Sequence, residues 1–281
     1  MKSVYRSEKG KKIIQDLYNE ILKKWPQPYD TYTVPTEFGN TFVIAHGPES
    51  ADAVVLLHGS TTNSAMWIAD AAVLGTTRRV YAVDLIGEPG KSDESRPKMA
   101  HANYARWMEQ VLDRLGVRKA AFVGNSLGGW IALDLAIHSP ERVSALTLLA
   151  AAGIAPVRRL YVFKVISLIA LGRKGMDKLY HLMFGKAHIP KKVIEYADIL
   201  ARYYIPRPLN APVFSDDAFK RLNMPVLYVG GEHDALLNTP KSVKRLKALV
   251  PPADVRVAAG MSHTLINMGK DIKAFLDAQE A

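Results

Sequence analysis

Cysteine is absent from the 281-residue chain. That excludes a disulfide framework, a thiolate nucleophile and Cys-rich zinc or iron–sulfur sites. Long apolar runs are missing too. The longest covers residues 160–171, is broken by Lys164 and Ser167 and stops at Gly172. A membrane-spanning helix needs about 20 apolar residues, so no integral membrane association is expected. The opening MKSVYRSEKGKK has charge, with neither an apolar stretch nor a small-residue cleavage site behind it. No secretory signal is therefore expected, and the predicted location is cytoplasmic. Acids are in deficit, 27 Asp and Glu against 37 Lys and Arg, for a formal net charge of +10. The excess is concentrated: residues 156–221 hold thirteen Lys/Arg against five acids. These bases stand singly and in pairs, without a nucleic-acid motif, which fits solvated helix faces and no nucleic-acid partner. Metal-ligand spacings such as His-Glu-x-x-His are absent, so no metal and no cofactor is expected.

What is present is a well-filled core, with 48% hydrophobic residues. A chain of this length buries roughly 75% of its unfolded surface and needs no covalent staple. Ile13, Ile14, Leu17, Ile21 and Leu22 recur at helical spacing, which predicts an amphipathic helix over 8–24 that Pro26 and Pro28 close. Strand-like runs follow at 41–45, 53–57, 79–84, 121–123, 145–149, 226–229 and 254–257. Several are continuously apolar, as strands covered on both faces are. Helical patterns lie at 102–115, 127–138, 239–249 and 270–278. This alternation predicts an α/β fold with a mostly parallel central sheet flanked by helices. Between 149 and 226 no strand appears, only helix-like segments near 156–171, 174–184 and 190–203. A structureless loop of that length is improbable, so a helical cap insertion is predicted. The expected organisation is an N-terminal helix and linker (1–30), a first core part (31–153), the cap (154–222) and a second core part (223–281).

The sharpest chemical signal is Gly124-Asn125-Ser126-Leu127-Gly128. It follows a predicted strand and opens a predicted helix, the context that a nucleophilic serine on a tight strand–helix turn requires. The backbone N–H of Leu127 then points to the same place from a helix N-terminus. A nucleophilic serine needs a base and an acid that orients it. His263 follows the last predicted strand and Asp234 the one before it, at the strand edge that carries Ser126. Glu232 is the rival acid. His58 ends a strand but precedes Ser126, and His233 adjoins Asp234. The other five histidines are expected away from the strand ends. His58-Gly59-Ser60 ends another strand, and the N–H of Ser60 pairs with that of Leu127 as an expected oxyanion hole. Residues 60–67 with Trp67, then Trp130, Leu236 and the cap, are expected to wall the substrate pocket. Gly87-Glu88-Pro89-Gly90-Lys91-Ser92 ends like a phosphate loop but has Leu85 where the first glycine belongs, and is read as a turn.

These residues resemble the α/β-hydrolase fold family from about Phe38 to Leu276. The pieces match in order: Phe38-Gly39, His58-Gly59, Val83-Asp84-Leu85-Ile86-Gly87 with Lys91-Ser92, the serine turn, Gly231-Glu232-His233-Asp234, and His263. The layout is most similar to bacterial carboxylesterases that hydrolyse aryl-propionate esters, through 38–45 with Gly47-Pro48-Glu49, Met66-Trp67 and Tyr81-Ala82-Val83-Asp84. The resemblance implies a serine carboxylesterase acting on small to medium or aryl esters through an acyl-enzyme, with an ester and water as its partners. Two departures stand out: Ser262 replaces the usual glycine before the histidine, and Glu88-Pro89 interrupts the usual Gly-x-Gly-x-Ser. Asn125 before the serine also occurs in hydrolases that cleave carbon–carbon bonds of vinylogous diketones, which is the alternative activity. A non-catalytic hydrolase-fold binding protein is a further alternative. The cap is expected to cover Ser126 with Leu160, Phe163, Ile166, Leu168 and Ile169 and to turn its bases outward. The oligomeric state stays open, with a dimer through the cap as one arrangement.

Overall fold

The computed structural model describes residues 3–158, 161, 164, 165, 167, 168, 171, 173–185, 191–208 and 211–280. Eight strands form one sheet: β1 (Tyr29–Thr36), β2 (Gly39–His46), β3 (Ala53–Leu57), β4 (Arg79–Val83), β5 (Ala120–Asn125), β6 (Val143–Leu149), β7 (Val226–Gly231) and β8 (Asp254–Ala258). Their order is β1-β2-β4-β3-β5-β6-β7-β8. β2 runs antiparallel to β1 and β4, and every pair from β4 through β8 is parallel. The helices are α1 (Glu8–Leu22), α2 (Ile68–Leu74), α3 (Asn103–Arg114), α4 (Leu127–His138), α5 (Arg173–Phe184), α6 (Lys191–Tyr203), α7 (Asp216–Phe219), α8 (Thr239–Leu249) and α9 (Gly269–Asp277).

The strand runs are continuously apolar because each strand feeds two cores. Val55, Leu57, Phe122, Leu146, Leu148, Val226 and Tyr228 face a layer that includes α3 and α4. Val54, Leu56, Ala121, Val123, Leu149, Leu227 and Val229 face Tyr18, Trp25, Trp67, Leu74 and Ile272 on the other side. Alternate residues of a strand point to opposite faces, so a sheet covered on both needs apolar side chains at every position. Each fully buried Leu, Ile or Phe contributes about 1.5–3 kcal/mol. Helix α4 is buried on all sides: every residue from Leu127 to Ile137 is covered, Asp134 included. In α1, Ile14, Tyr18 and Leu22 form the inner stripe, and the Ser7 hydroxyl caps it by accepting from the N–H of Gly10 at 3.0 Å.

β1, α2 and the one-turn helix α7 go beyond the sequence pattern. β1 begins at Tyr29, within the segment expected to be linker. It is an edge strand with mostly exposed residues, so no apolar signal marks it. α2 has only seven residues, too few for a periodicity to show. His46, expected away from strand ends, terminates β2, where its Nδ1 meets the carbonyl of Pro28 at 2.8 Å. That is the sheet edge opposite Ser126, because β2 runs against its neighbour β4.

Within the cap, α5 and α6 are where helices are expected. Leu160, Phe163, Ile166 and Ile169, part of the expected apolar surface of the first cap helix, lie outside the described residues. Among the contacts that join the cap to the core, the N–H of Thr264 donates to Met183 O at 3.0 Å, that of Arg158 to Leu236 O at 3.1 Å, and Asn63 Nδ2 to the Tyr196 hydroxyl at 2.8 Å. Arg158, Lys164, Lys174, Lys178, Lys191, Lys192, Arg202, Lys220 and Arg221 are exposed as expected. Arg207 departs from that expectation. It turns inward and is buried, because Glu88 supplies the partner that a buried guanidinium requires.

Asp70 of α2 is 1% exposed and lies at the start of α9, where the N–H groups of Gly269 and Met268 donate to it. Its Oδ1 has no partner among the described residues. Burial pushes its pKa up to about 6, and those two hydrogen bonds only partly offset the effect. A folded value above the unfolded one, about 3.9, means that folding favours the protonated acid. The contribution is therefore full below about pH 4, declines as pH rises, and is lost above about pH 6. Asp70→Asn is expected to raise Tm at pH 8 and to lose that advantage on titration to pH 4. The gain corresponds to at most about 3 kcal/mol. Thermal melts of both proteins across that range check it.

Candidate active site

Ser126 sits between β5 and α4 at φ 49°, ψ −105°, a strained conformation for a residue with a side chain. The neighbouring glycines permit it. A Cβ on Gly124 would overlap the Gly128 carbonyl, and one on Gly128 would overlap the carbonyl of Leu57 at the end of β3. Strand, turn and helix therefore approach more closely than any side chain would allow. The turn is fixed from both sides: Ser126 N–H donates to Leu149 O at 2.9 Å, and its carbonyl accepts from Trp130 N and Ala152 N, both at 3.1 Å. The hydroxyl is thereby presented at the carboxyl edge of the parallel strands.

The loops after β7 and β8 leave that same edge. His263 Nε2 lies 3.1 Å from Ser126 Oγ, and His263 Nδ1 lies 2.8 Å from Asp234 Oδ2. A carboxylate only accepts, so Nδ1 carries the proton and Nε2 is left to accept from the serine hydroxyl. Asp234 is itself fixed: its Oδ1 accepts from the N–H groups of Leu236 and Leu237, each at 2.8 Å. Both Asp234 and His263 are buried. The arrangement can withdraw a proton from Ser126 and stabilise the imidazolium that results. Glu232 lies outside this chain of contacts. It is half exposed, and its carboxylate accepts from Gly260 N at 2.8 Å. His58 is also accounted for: Nδ1–H donates to Gly59 O at 2.8 Å and Nε2 accepts from Leu85 N at 2.9 Å. Burial lowers its pKa, so the neutral ring ties the ends of β3 and β4 together.

Leu127 is the first residue of α4, where backbone N–H groups lack helical partners. Ser60 lies in the loop after β3, with its hydroxyl 3.4 Å from Glu88 Oε2. Leu236 is buried in a small apolar cluster with Tyr161 and Leu237, joined by Val165 and Met183 from the cap segment. Burial, then the nearby Asp234 charge, pushes the Tyr161 phenol up to about 12. The two tryptophans differ from expectation. Trp67 is 1% exposed and packs in the core between the sheet and α2, leaving almost no surface for a substrate. Trp130 donates to Pro212 O at 2.8 Å and stacks on Phe214 at 5.1 Å. It is 2% exposed, and the groove that it helps to line is shared with Asp134, Ile137 and His138 of α4. Both are helix residues whose rotational setting, invisible in composition, turns them into the layers.

Sequence reasoning misses two buried carboxylates beside the site. Asp84, after β4, accepts from Tyr18 Oη at 2.9 Å, Ser64 N at 2.9 Å and Lys91 N at 2.8 Å. Glu88 accepts from Thr61 N at 2.7 Å. Their partners are scattered along the chain, so no local spacing marks them. Among the described residues no group of three His, Asp or Glu could hold a metal ion, and no helix is long and apolar enough to cross a membrane.

Comparison with known proteins bears on the family and the fold. A model of the alpha/beta hydrolase family matches residues 54–278. Carboxylesterase YbfK of Bacillus subtilis (strain 168) is 31% identical over 267 residues, 92% of this chain and 89% of that protein. The uncharacterized carboxylesterase nap of the same strain is 31% identical over 257 residues, 88% and 85% of the two chains. The crystal structure of carboxylesterase CesB (YbfK) from Bacillus subtilis superposes with a TM-score of 0.85 at 26% identity, covering 96% of this chain and 99% of that one. Naproxen esterase from Bacillus subtilis gives a TM-score of 0.82 at 27% identity over 94% and 95% of the two chains.

The close approach at the turn yields a prediction. Gly128→Ala places a methyl group against the Leu57 carbonyl, backbone that cannot rotate away. It is expected to destabilise the fold by about 1–3 kcal/mol, as overpacking does. Denaturant unfolding of this variant beside an alanine substitution at the exposed Gln279 would show whether the effect belongs to the turn.

Proposed function

We propose, from the premise that this chain belongs to the alpha/beta hydrolase family, that it hydrolyses carboxylic esters with Ser126 as nucleophile, His263 as base and Asp234 as its orienting acid. The observation that carries the reading is the unbroken chain Ser126 Oγ, His263 Nε2, His263 Nδ1, Asp234 Oδ2 at 3.1 and 2.8 Å. In this mechanism Ser126 Oγ attacks the ester carbonyl carbon while its proton passes to Nε2. The carbonyl oxygen becomes an oxyanion that accepts from the N–H groups of Leu127 and Ser60. Collapse of that intermediate breaks the bond to the alcohol oxygen, which takes the proton from Nε2 and leaves an acyl-Ser126. Water then gives a proton to Nε2 and attacks the acyl carbon. A second oxyanion forms and collapses, returning the proton to Ser126 and releasing the acid.

The substrate reading is small to medium or aryl esters. The apolar cluster of Tyr161, Val165, Met183, Leu236 and Leu237 stands beside the Asp234 loop and offers a wall for an acyl or aryl group. The exposed bases of the cap argue against a pocket built for anionic esters. A cytoplasmic location and association through the cap belong to the same proposal. The alternative of carbon–carbon bond hydrolysis rests on Asn125 before the serine, and no distance at the site favours it.

Turnover of a short p-nitrophenyl ester tests the reading. Ser126→Ala is expected to lower kcat by about 10⁶ while leaving the melting curve intact; one tenth of the native rate in that variant would overturn the nucleophile assignment. Asp234→Asn is expected to cost about 10⁴, because an amide favours the wrong imidazole tautomer. Glu232→Gln is expected to stay within a few-fold of the native enzyme. If the order of these two variants were reversed, the orienting acid would be Glu232.

A further inference from the structure

Beside the site lies a buried carboxylate that the mechanism does not use. Glu88, in the loop after β4, has a side chain with no exposure. One oxygen, Oε2, accepts from Thr61 N at 2.7 Å and from Tyr204 Oη at 2.8 Å, with Ser60 Oγ at 3.4 Å. The other, Oε1, accepts from Arg207 Nε at 3.2 Å. Arg96 supports the far side, donating from Nη2 to Tyr204 Oη and to Ile205 O, both at 2.7 Å.

The loop that Glu88 grips is the one that carries Ser60. Thr61 has φ 60°, which is costly for a β-branched residue and persists only where surroundings enforce it. The strongest single restraint on that amide is a charge-assisted hydrogen bond from a buried acid, about twice a neutral one in strength. A carboxylate sealed from water needs compensation, and it finds it in two places: the Thr61 N–H on the core side and Arg207 with Tyr204 at the end of the cap. The sequence dismissed this stretch as a turn, and its partners stand 27, 116 and 119 residues away.

We infer that Glu88 is a positioning residue for ester hydrolysis: it holds the 60–61 turn so that the Ser60 N–H meets the oxyanion, and it anchors that turn to the root of the cap through Tyr204 and Arg207. The inference rests on the reading of Ser60 as an oxyanion donor. The oxyanion forms in both acylation and deacylation, so a displaced donor slows both steps and leaves ground-state ester binding nearly unchanged. A contact that merely supported the cap would alter KM instead.

The test is Glu88→Gln together with the double variant Glu88→Gln/Arg207→Met. The double variant removes both buried charges at once, so no stranded guanidinium compromises folding. With a p-nitrophenyl ester, both variants are expected to lose about ten- to a hundredfold in kcat, less than the loss of an oxyanion donor outright. KM should stay within about threefold, and the burst and the steady-state rate should both fall. Recovery of kcat in the double variant, or a folded Glu88→Gln protein within threefold of the native kcat, would overturn the inference. A p-nitrophenyl phosphonate separates this from failure of the underlying reading. No mass adduct on Ser126 of the native protein would sink the nucleophile itself. A native adduct formed no faster than in Glu88→Gln would sink only the role of Glu88.

Discussion

The close packing at the Ser126 turn is the constraint on which the rest of the molecule depends. A serine at φ 49° is unfavourable in isolation. It persists because β5 enters the turn paired on both sides, by β3 and β6, and because α4 leaves it pressed against the end of β3. Glycines at 124 and 128 remove the side chains that would hold strand and helix apart. The all-round burial of α4 is the counterpart of that pressure: layers of protein cover the helix on every side, and the one acid among its buried residues, Asp134, accepts from the N–H of Ala105 at 3.0 Å. The strain at Ser126 is offset by a whole core.

From that turn the architecture of the site follows. A parallel sheet sends every strand-to-helix loop out of one edge, and five such loops, after β3, β4, β5, β7 and β8, meet there. Each contributes by a different physical means. The loop after β5 supplies a hydroxyl under backbone strain. The loop after β8 supplies an imidazole whose tautomer is set by the carboxylate from the loop after β7. That carboxylate is fixed in turn by two backbone amides. The loops after β3 and β4 contribute no reacting side chain but are cross-linked by His58, Asp84 and Glu88, all buried. Buried polar groups are costly unless satisfied, so a satisfied network of this kind admits one loop geometry and excludes others.

The cap and the N-terminal segment belong to this network and are not appendages of it. Tyr5 bridges to Tyr204, and Ile205 N–H donates to Val4 O at 2.8 Å. Tyr18 of α1 donates to Asp84 from within the core, and burial followed by the charge of Asp84 holds its phenol well above the ordinary value. The end of α6 is therefore held by the first residues of the chain on one side and by Glu88 on the other. The basic character of the cap has a simple division among the described residues: solvent screens the exposed charges, and Arg207, which turns inward, does so onto a carboxylate.

Much of this was legible in the chain itself. The alternation of strand and helix, the strand-free interval of the cap, and the candidate residues Ser126, Asp234 and His263 all rest on local pattern. Periodicity, turn chemistry and the order of residues along the chain are one-dimensional properties. Helices α4 and α8 fall at 127–138 and 239–249, where their patterns place them. β1 was not legible because an exposed edge strand needs no apolar residues, nor was α2, because seven residues make less than two full turns. Tertiary structure alone decided which way Trp67 and Trp130 point, why Arg207 is buried, and that Glu88 and Asp84 sit beside the site. The reason is the same in each case. A buried charge or a packed indole is determined by partners that the fold brings in from distant segments, as Tyr18 is brought onto Asp84 and Arg207 onto Glu88, and no short window along the sequence contains both members of those pairs.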